Sequence, residues 1–188
     1  MSGLISSGRG LILDRDGVIN EDVGYLYRIE DVRFVDGIFP LLRAAKAAGY
    51  ALAIATNQSG IARGLYTEAD FDILMRWLGQ RLAEQGAAID AVYFCPHHPT
   101  EGIDPYRRTC QCRKPLPGMF DAAIADLGLD PAQSWTIGDN WRDLEAGEAA
   151  GIAHRVKLDP TAGAPHMIGG RWIAPSLAEI QRLMRLTR

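Results

Sequence analysis

The sequence predicts an α/β protein: a doubly wound, Rossmann-like parallel sheet with helices on both faces. Three observations carry this expectation. Short apolar runs of strand length (Leu11–Leu13, Tyr50–Ala55, Ala91–Phe94, Ser134–Ile137) alternate with amphipathic stretches of helix length. The first run is apolar throughout, as a parallel strand buried on both faces requires. Three runs end in polar side chains, at Asp14 and Asp16, at Thr56 and Asn57, and at Asp139. Open α/β sheets bind ligands at the carboxyl ends of their strands.

Taken in order, residues 1–10 are small and polar and read as a flexible arm. The first strand follows, and residues 21–35 form a mixed loop over its end. Ile38, Leu41, Leu42 and Ala45 recur at helical spacing over 38–48, and Gly49 is a natural stop. After the second strand, Thr67-Glu68-Ala69-Asp70 forms a capping box. It opens a helix to about Gln85, with Phe71, Leu74, Leu78 and Leu82 on one stripe. Residues 95–117 have neither period and few core-forming side chains; a loop that long inside a domain calls for a tie or a function. Met119–Leu127 reads as a helix ended by Gly128, and Leu144–Ala150 as another. Arg155–Leu158 and Arg171–Ala174 read as further strands. Ser176 starts a terminal helix with Leu177, Ile180, Leu183 and Met184 inward. No repeat or linker divides the chain, so one domain over 1–188 is expected, with right-handed crossovers.

A chain of 188 residues can bury a substantial core. Its formal charge of −3 argues against nucleic acid or an anionic membrane as partner. No apolar run is long enough to span a bilayer. The first nine residues lack the basic start and apolar core of a signal peptide, so a cytoplasmic protein is expected. Its three cysteines cannot all pair.

The chemistry is concentrated in a few stretches. In extended chain Asp14 and Asp16 face the same way, and Gly17 lets the chain turn. Such a pair could act as nucleophile with general acid/base, or flank a hard cation such as Mg²⁺; alone, it would read as a strand-ending turn. Thr56, Asp139 and the basic Arg113-Lys114-Pro115 change the balance. A cation between Asp14 and Asp139, the Lys114 ammonium and the Thr56 hydroxyl complete what phosphoryl transfer requires. A second constellation is Cys95-Pro96-His97, a gap of twelve residues, then Cys110-Gln111-Cys112. Three thiols and an imidazole suit a closed, tetrahedral structural zinc site, with His98 as the competing ligand; scattered buried cysteines are the plainer alternative. Arg63 is a candidate phosphate contact, and Asp143 a brace for Lys114 or Asp139.

Asp14-x-Asp16-Gly17-Val18, Thr56-Asn57, Lys114 and Gly138-Asp139-x-x-x-Asp143, in that order, resemble the four motifs of the haloacid dehalogenase superfamily. Thr56–Gly64 and Cys112-Arg113-Lys114-Pro115-x-Pro117-Gly118 narrow the likeness to the heptose-1,7-bisphosphate 7-phosphatases and, less closely, the histidinol-phosphate phosphatases. The likeness runs from about Leu11 to Gly151.

This resemblance implies a capless fold with no large insertion after Asp14 or before Lys114. It also implies a Mg²⁺-dependent phosphatase working through an aspartyl-phosphate, in nucleotide-heptose and lipopolysaccharide precursor synthesis. It makes Asp14 the nucleophile, Asp16 the acid/base, and Thr56 and Lys114 the residues that steady the phosphoryl group. Asp14, Asp16 (through its carbonyl) and Asp139 become the Mg²⁺ ligands, and Cys95, His97, Cys110 and Cys112 the zinc ligands. Asp22, Val23, Gly24, Tyr25, Asn57, Gln58, Ser59, Arg63, Arg113 and Asn140 fall where substrate is held. Asn140 stands where the heptose enzymes usually carry lysine. A monomer acting on a small sugar phosphate is expected. Histidinol-phosphate phosphatase is the second expectation. A non-catalytic phosphosugar-binding zinc protein is the third, disfavoured because binding needs neither Asp14 nor Asp16.

Overall fold

β1 (Gly10–Leu13) is the centre about which the chain winds. In the computed structural model, which describes residues 8–186, β1 pairs in parallel with β2 (Ala51–Asn57) on one side and β4 (Trp135–Gly138) on the other. β3 (Ala91–Cys95) lies outside β2, and β5 (His154–Leu158) outside β4. β7 (Arg171–Ala174) continues the parallel run, and β6 (His166–Ile168) closes it as an antiparallel edge. The sheet order is β3-β2-β1-β4-β5-β7-β6. The chain leaves β1 toward β2 and later returns to its other flank, so a crevice opens beyond the carboxyl ends of β1 and β4.

The alternation of side chains along a strand sorts the core into two layers. Leu11 and Leu13, with Leu52 and Ile54, pack on one face against α1 (Ile38–Ala47), α3 (Glu68–Glu84) and α6 (Leu177–Leu183). Ile12, Ala53 and Ala55 point the other way, onto α4 (Gly118–Leu127) and α5 (Trp141–Ala149). This is the doubly wound sheet expected from the sequence. The Thr67–Asp70 capping box is formed, and Phe71, Leu74, Leu78 and Leu82 are all buried.

Three differences matter. The arm expected over 1–10 does not extend that far: Gly8 O accepts from Asp130 N at 2.6 Å, Arg9 Nη2 donates to Ala48 O at 2.7 Å, and Gly10 begins β1. The remainder of that expectation, residues 1–7, lies outside the described residues. A single turn, α2 (Ser59–Ala62), follows β2 and was too short to show a period. β6 is exposed along its length and lacks the apolar pattern of the other strands. Among the described residues no helix is long and apolar enough to cross a membrane.

Candidate active site

The carboxyl ends of β1, β2 and β4 supply the site. Asp14 follows β1 directly, and its amide extends the ladder by donating to Ile137 O at 2.9 Å. The next turn folds tightly, with Gly17 N donating to Asn20 O at 2.7 Å. Gly17 sits at φ +79°, and a Cβ there would overlap the Asp139 carboxylate, so glycine is what lets the β4 end approach the β1 end.

Lys114 lies beneath this junction, 2% exposed. Its Nζ is 3.0 Å from Asp14 Oδ1 and 2.8 Å from Asp143 Oδ1, and donates to Ala55 O at 2.7 Å. Asp143 Oδ2 accepts from Asn140 N at 3.0 Å, which closes the capping box at the start of α5. The structure thus makes Asp143 the brace expected from the sequence. Asp14 Oδ1 also accepts from Arg15 N at 2.7 Å, and among the described residues no donor reaches Oδ2. Asp16 is gripped by Arg15, through Nε at 3.0 Å and Nη2 at 2.8 Å, by Asn20 Nδ2 at 2.9 Å and by Gln58 Nε2 at 3.1 Å.

The charges do not balance. Asp14, Asp16, Asp139 and Asp143 bring four carboxylates, against Lys114 and Arg15 as close cations. Were all four ionised they would exceed these two cations by two charges, with Arg142 offsetting part of the excess at Asp139. Burial pushes the Asp14 carboxyl up to about 7, with Lys114 opposing and Asp143 and Asp16 adding. Asp139 is raised for the same first reason, with Asp143 adding and Arg142 opposing. Burial alone would lower the Lys114 ammonium, but Asp14 and Asp143 outweigh it and hold it above the ordinary lysine value. One ammonium shared between two buried carboxylates stays charged, while Asp14 stays hard to ionise. Asp14, Asp139 and Asp143 offer oxygens within 4.8 Å of one another. Because Asp143 is committed to Lys114 and α5, the carboxylates left to hold a divalent cation are those of Asp14 and Asp139. A hard, doubly charged ion suits this all-oxygen set and its charge.

A pH dependence follows. Metal-free, the folded chain keeps a proton on Asp14 that the unfolded chain releases near pH 4, so this group's contribution falls as pH rises from about 4 to about 7. A divalent cation needs the ionised form. The rise in melting temperature on adding Mg²⁺ over chelator is therefore expected to grow across that window. An increment flat from pH 4 to 7 would contradict the assignment.

A cavity of about 150 Å³ opens above these carboxylates, lined by Asp14, Asp16, Asp22, Tyr25, Asn57, Ser59, Asp139 and Arg142 among others. Of the expected substrate contacts, Asp22 to Tyr25 stand at its mouth, where Asp22 Oδ1 accepts from Gly24 N at 2.8 Å, and Val23 is exposed. Ser59 lines the cavity from the start of α2. Five others make contacts of their own within the protein. Asn57 clasps the Lys114 backbone, with Nδ2 donating to Lys114 O and Oδ1 accepting from Lys114 N, both at 3.1 Å. Gln58 is buried and bonded to Asp16, Thr56 and Tyr66. Asn140 caps α5, its side chain accepting from Arg142 N at 3.3 Å. Arg63 is ion-paired with Glu101 and lies over the Tyr25 ring. Arg113 is tethered by donating to His97 O at 3.1 Å.

Three participants were not expected. The signal for Arg15 was a cation lodged between two aspartates at a buried strand end. Arg142 carried only the signal of lying three residues past Asp139. Tyr66 had none, since a tyrosine eight residues beyond Gln58 belongs to no pattern.

The loop from 95 to 117 gathers Cys95, His97, Cys110 and Cys112, with the sulfurs 2.9–3.5 Å apart and His97 Nδ1 3.6 Å from Cys95 and 3.4 Å from Cys112. All three thiols are free. Burial pushes the Cys95 thiol well up, so a cation at the centre is what would keep it a thiolate. The set and its convergence fit a tetrahedral zinc. His98 points away, its Nδ1 accepting from Glu101 N at 3.0 Å.

The comparisons with known proteins follow the same lines. A family model described as HAD-hydrolase-like matches residues 111–156. The chain is 41% identical over 179 residues to a D-glycero-beta-D-manno-heptose-1,7-bisphosphate 7-phosphatase of Yersinia pestis, covering 93% of this chain and 94% of the relative. It is 46% identical over 149 residues to the protein of the same name in Haemophilus ducreyi, covering 79% and 81%. Its fold matches the crystal structure of D,D-heptose 1,7-bisphosphate phosphatase from B. bronchiseptica, complexed with magnesium and phosphate. That match has a TM-score of 0.79 and 30% identity, over 95% of this chain and 99% of that one.

Proposed function

Because the chain belongs to the D-glycero-beta-D-manno-heptose-1,7-bisphosphate 7-phosphatase family of HAD-like hydrolases, we propose that it hydrolyses the 7-phosphate of that sugar through Asp14. The observation that carries the reading is Asp14 itself: it lines the cavity, Oδ1 is pinned by Arg15 N and Lys114, and among the described residues no donor occupies Oδ2.

Oδ2 of Asp14 attacks phosphorus while the ester P–O bond breaks. The carboxyl proton of Asp16 passes to the departing sugar oxygen, giving the free 7-hydroxyl and an aspartyl-phosphate. Water then attacks the same phosphorus, its proton goes back to Asp16, and inorganic phosphate leaves with Asp14 restored as a carboxylate. The Thr56 hydroxyl donates to a phosphoryl oxygen, and Lys114 holds Asp14 in place. Asp14, Asp139 and the Asp16 carbonyl would hold Mg²⁺, which when bound neutralises the carboxylates and draws charge from the phosphoryl oxygens. In this reading the reaction belongs to nucleotide-heptose synthesis.

Arg113 and Arg142 supply the charge for the second phosphate. Arg113 is depressed by burial first, with Arg142 and Arg63 adding, which places three guanidiniums in one electrostatic neighbourhood. Among the described residues neither Arg113 nor Arg142 has an ion-pair partner, and arginine suits bidentate phosphate contacts. Arg113→Ala is expected to lower kcat/KM for the heptose bisphosphate by about tenfold or more, the scale of one charge-assisted hydrogen bond. A small monophosphate should change little, since it makes no remote contact. The deciding panel is phosphate release from both anomers of the heptose bisphosphate, from histidinol phosphate and from simple sugar phosphates. A higher wild-type kcat/KM for histidinol phosphate overturns the substrate.

The Cys95, His97, Cys110 and Cys112 cluster holds one structural zinc in this reading. Elemental analysis of the purified protein is expected to find about one zinc per chain. Replacement of Cys110 and Cys112 together by serine should abolish it; zinc retained in that variant would refute the ligand set.

A further inference from the structure

We propose that Gln58 is a positioning residue for the acid/base Asp16, and that Tyr66 fixes the direction in which its amide works. The inference rests on the phosphatase reading above. The Gln58 side chain is 2% exposed, yet it sits between the ends of two strands. Its single amide nitrogen is 3.1 Å from Asp16 Oδ2 and 2.8 Å from Thr56 Oγ1, so both of its hydrogens are used. Reversed, the amide would set its carbonyl against the Asp16 oxygen that Arg15 Nη2 already holds, and the Tyr66 hydroxyl would lose its acceptor.

The remaining atom, Oε1, accepts from the Tyr66 hydroxyl at 2.5 Å. Tyr66 is itself immobilised. Its ring stacks on Tyr27 with centroids 5.3 Å apart, and it also lies against Gly60, where a Cβ would overlap the ring. Burial pushes its phenol up to about 12, so the hydroxyl remains a donor.

What sets Gln58 apart is where it stands in the chain. Arg15 and Asn20, the other donors to Asp16, belong to the same turn as Asp16 and move with it. Gln58 is the donor among the described residues that reaches Asp16 from the β2 side, and the same nitrogen holds Thr56. It therefore sets the distance between the group that delivers a proton to the leaving oxygen and the group that holds the phosphoryl oxygens. Because Thr56 Oγ1 accepts from Gln58, its own hydrogen is left for the phosphate.

The two arms separate by leaving group. Loss of the Thr56 arm affects every phosphate ester. Loss of the Asp16 arm affects esters of poor leaving groups, since a nitrophenolate departs without a proton. In Gln58→Met, kcat/KM for the heptose bisphosphate is expected to fall at least about tenfold further than for p-nitrophenyl phosphate, the scale of a misplaced general acid. Asp16→Asn should show the same asymmetry more strongly. Tyr66→Phe, which removes one oxygen and keeps the ring, should show it at about threefold, the scale of one neutral hydrogen bond. Circular dichroism and the unfolding midpoint report whether each variant is folded. Equal losses on the two substrates in folded Gln58→Met overturn the proposal, and if that variant does not fold, equal losses in Tyr66→Phe do so. Wild-type protein that turns over neither compound would sink the phosphatase reading, and this inference with it.

Discussion

Asp14→Asn is expected to leave a folded protein without turnover, its rate down by at least about 10⁴-fold, as when an enzyme loses its nucleophile. The amide keeps the shape and can still accept from Arg15 N, but it cannot form the acyl phosphate. The informative part is the stability. Asp14 is a carboxyl that burial has pushed up to about 7, so above that pH the metal-free protein carries an ionised group it holds poorly. Removing the charge should leave metal-free Asp14→Asn at least as stable as wild type above pH 7. The pH-dependent gain from Mg²⁺ should vanish with it. A folded Asp14→Asn that keeps most of its phosphatase activity ends the proposed mechanism.

Lys114→Met is expected to lose both activity and stability. The ammonium is the shared counter-ion of Asp14 and Asp143 at 3.0 and 2.8 Å, and all three side chains are essentially buried. Removing one member of such a set leaves charge uncompensated, at a cost of about 3–5 kcal/mol. Metal-free protein should show the full effect in denaturant unfolding, and Mg²⁺ should recover part of it by neutralising Asp14. In the double variant Lys114→Met with Asp14→Asn, stability should return toward wild type while activity stays absent. Additive losses in the double variant would mean that the ion pair is not what Lys114 contributes.

The contrast between these residues and others shows what the sequence could carry. Asp14, Thr56 and Asp139 were legible because each ends an apolar run of strand length, and parallel topology brings such ends together whatever the loops do. Leu11, Ile12 and Leu13 likewise divided themselves between two faces by alternation alone. Asn57, Gln58 and Asn140 stand at the site, and the fold gives each a protein partner that the sequence did not show. An amide near a site reads as a ligand contact from sequence, and only the fold shows its partner to be Lys114, Asp16 or the first turn of α5. Tyr66 was invisible because its place against Gly60 and Gln58 depends on how α2 turns, a four-residue element with no period to detect. β6 escaped for the opposite reason: it is held by backbone pairing to β7 and buries no side chain.

The double engagement of Asp143 has a consequence for how activity is acquired. One oxygen caps the first turn of α5 while the other neutralises Lys114. A newly made chain in which that turn is still unwound lacks the partner that keeps Lys114 aligned under Asp14. The integrity of one helical turn and the placement of a buried ammonium at the far side of the sheet's end are thus a single structural variable.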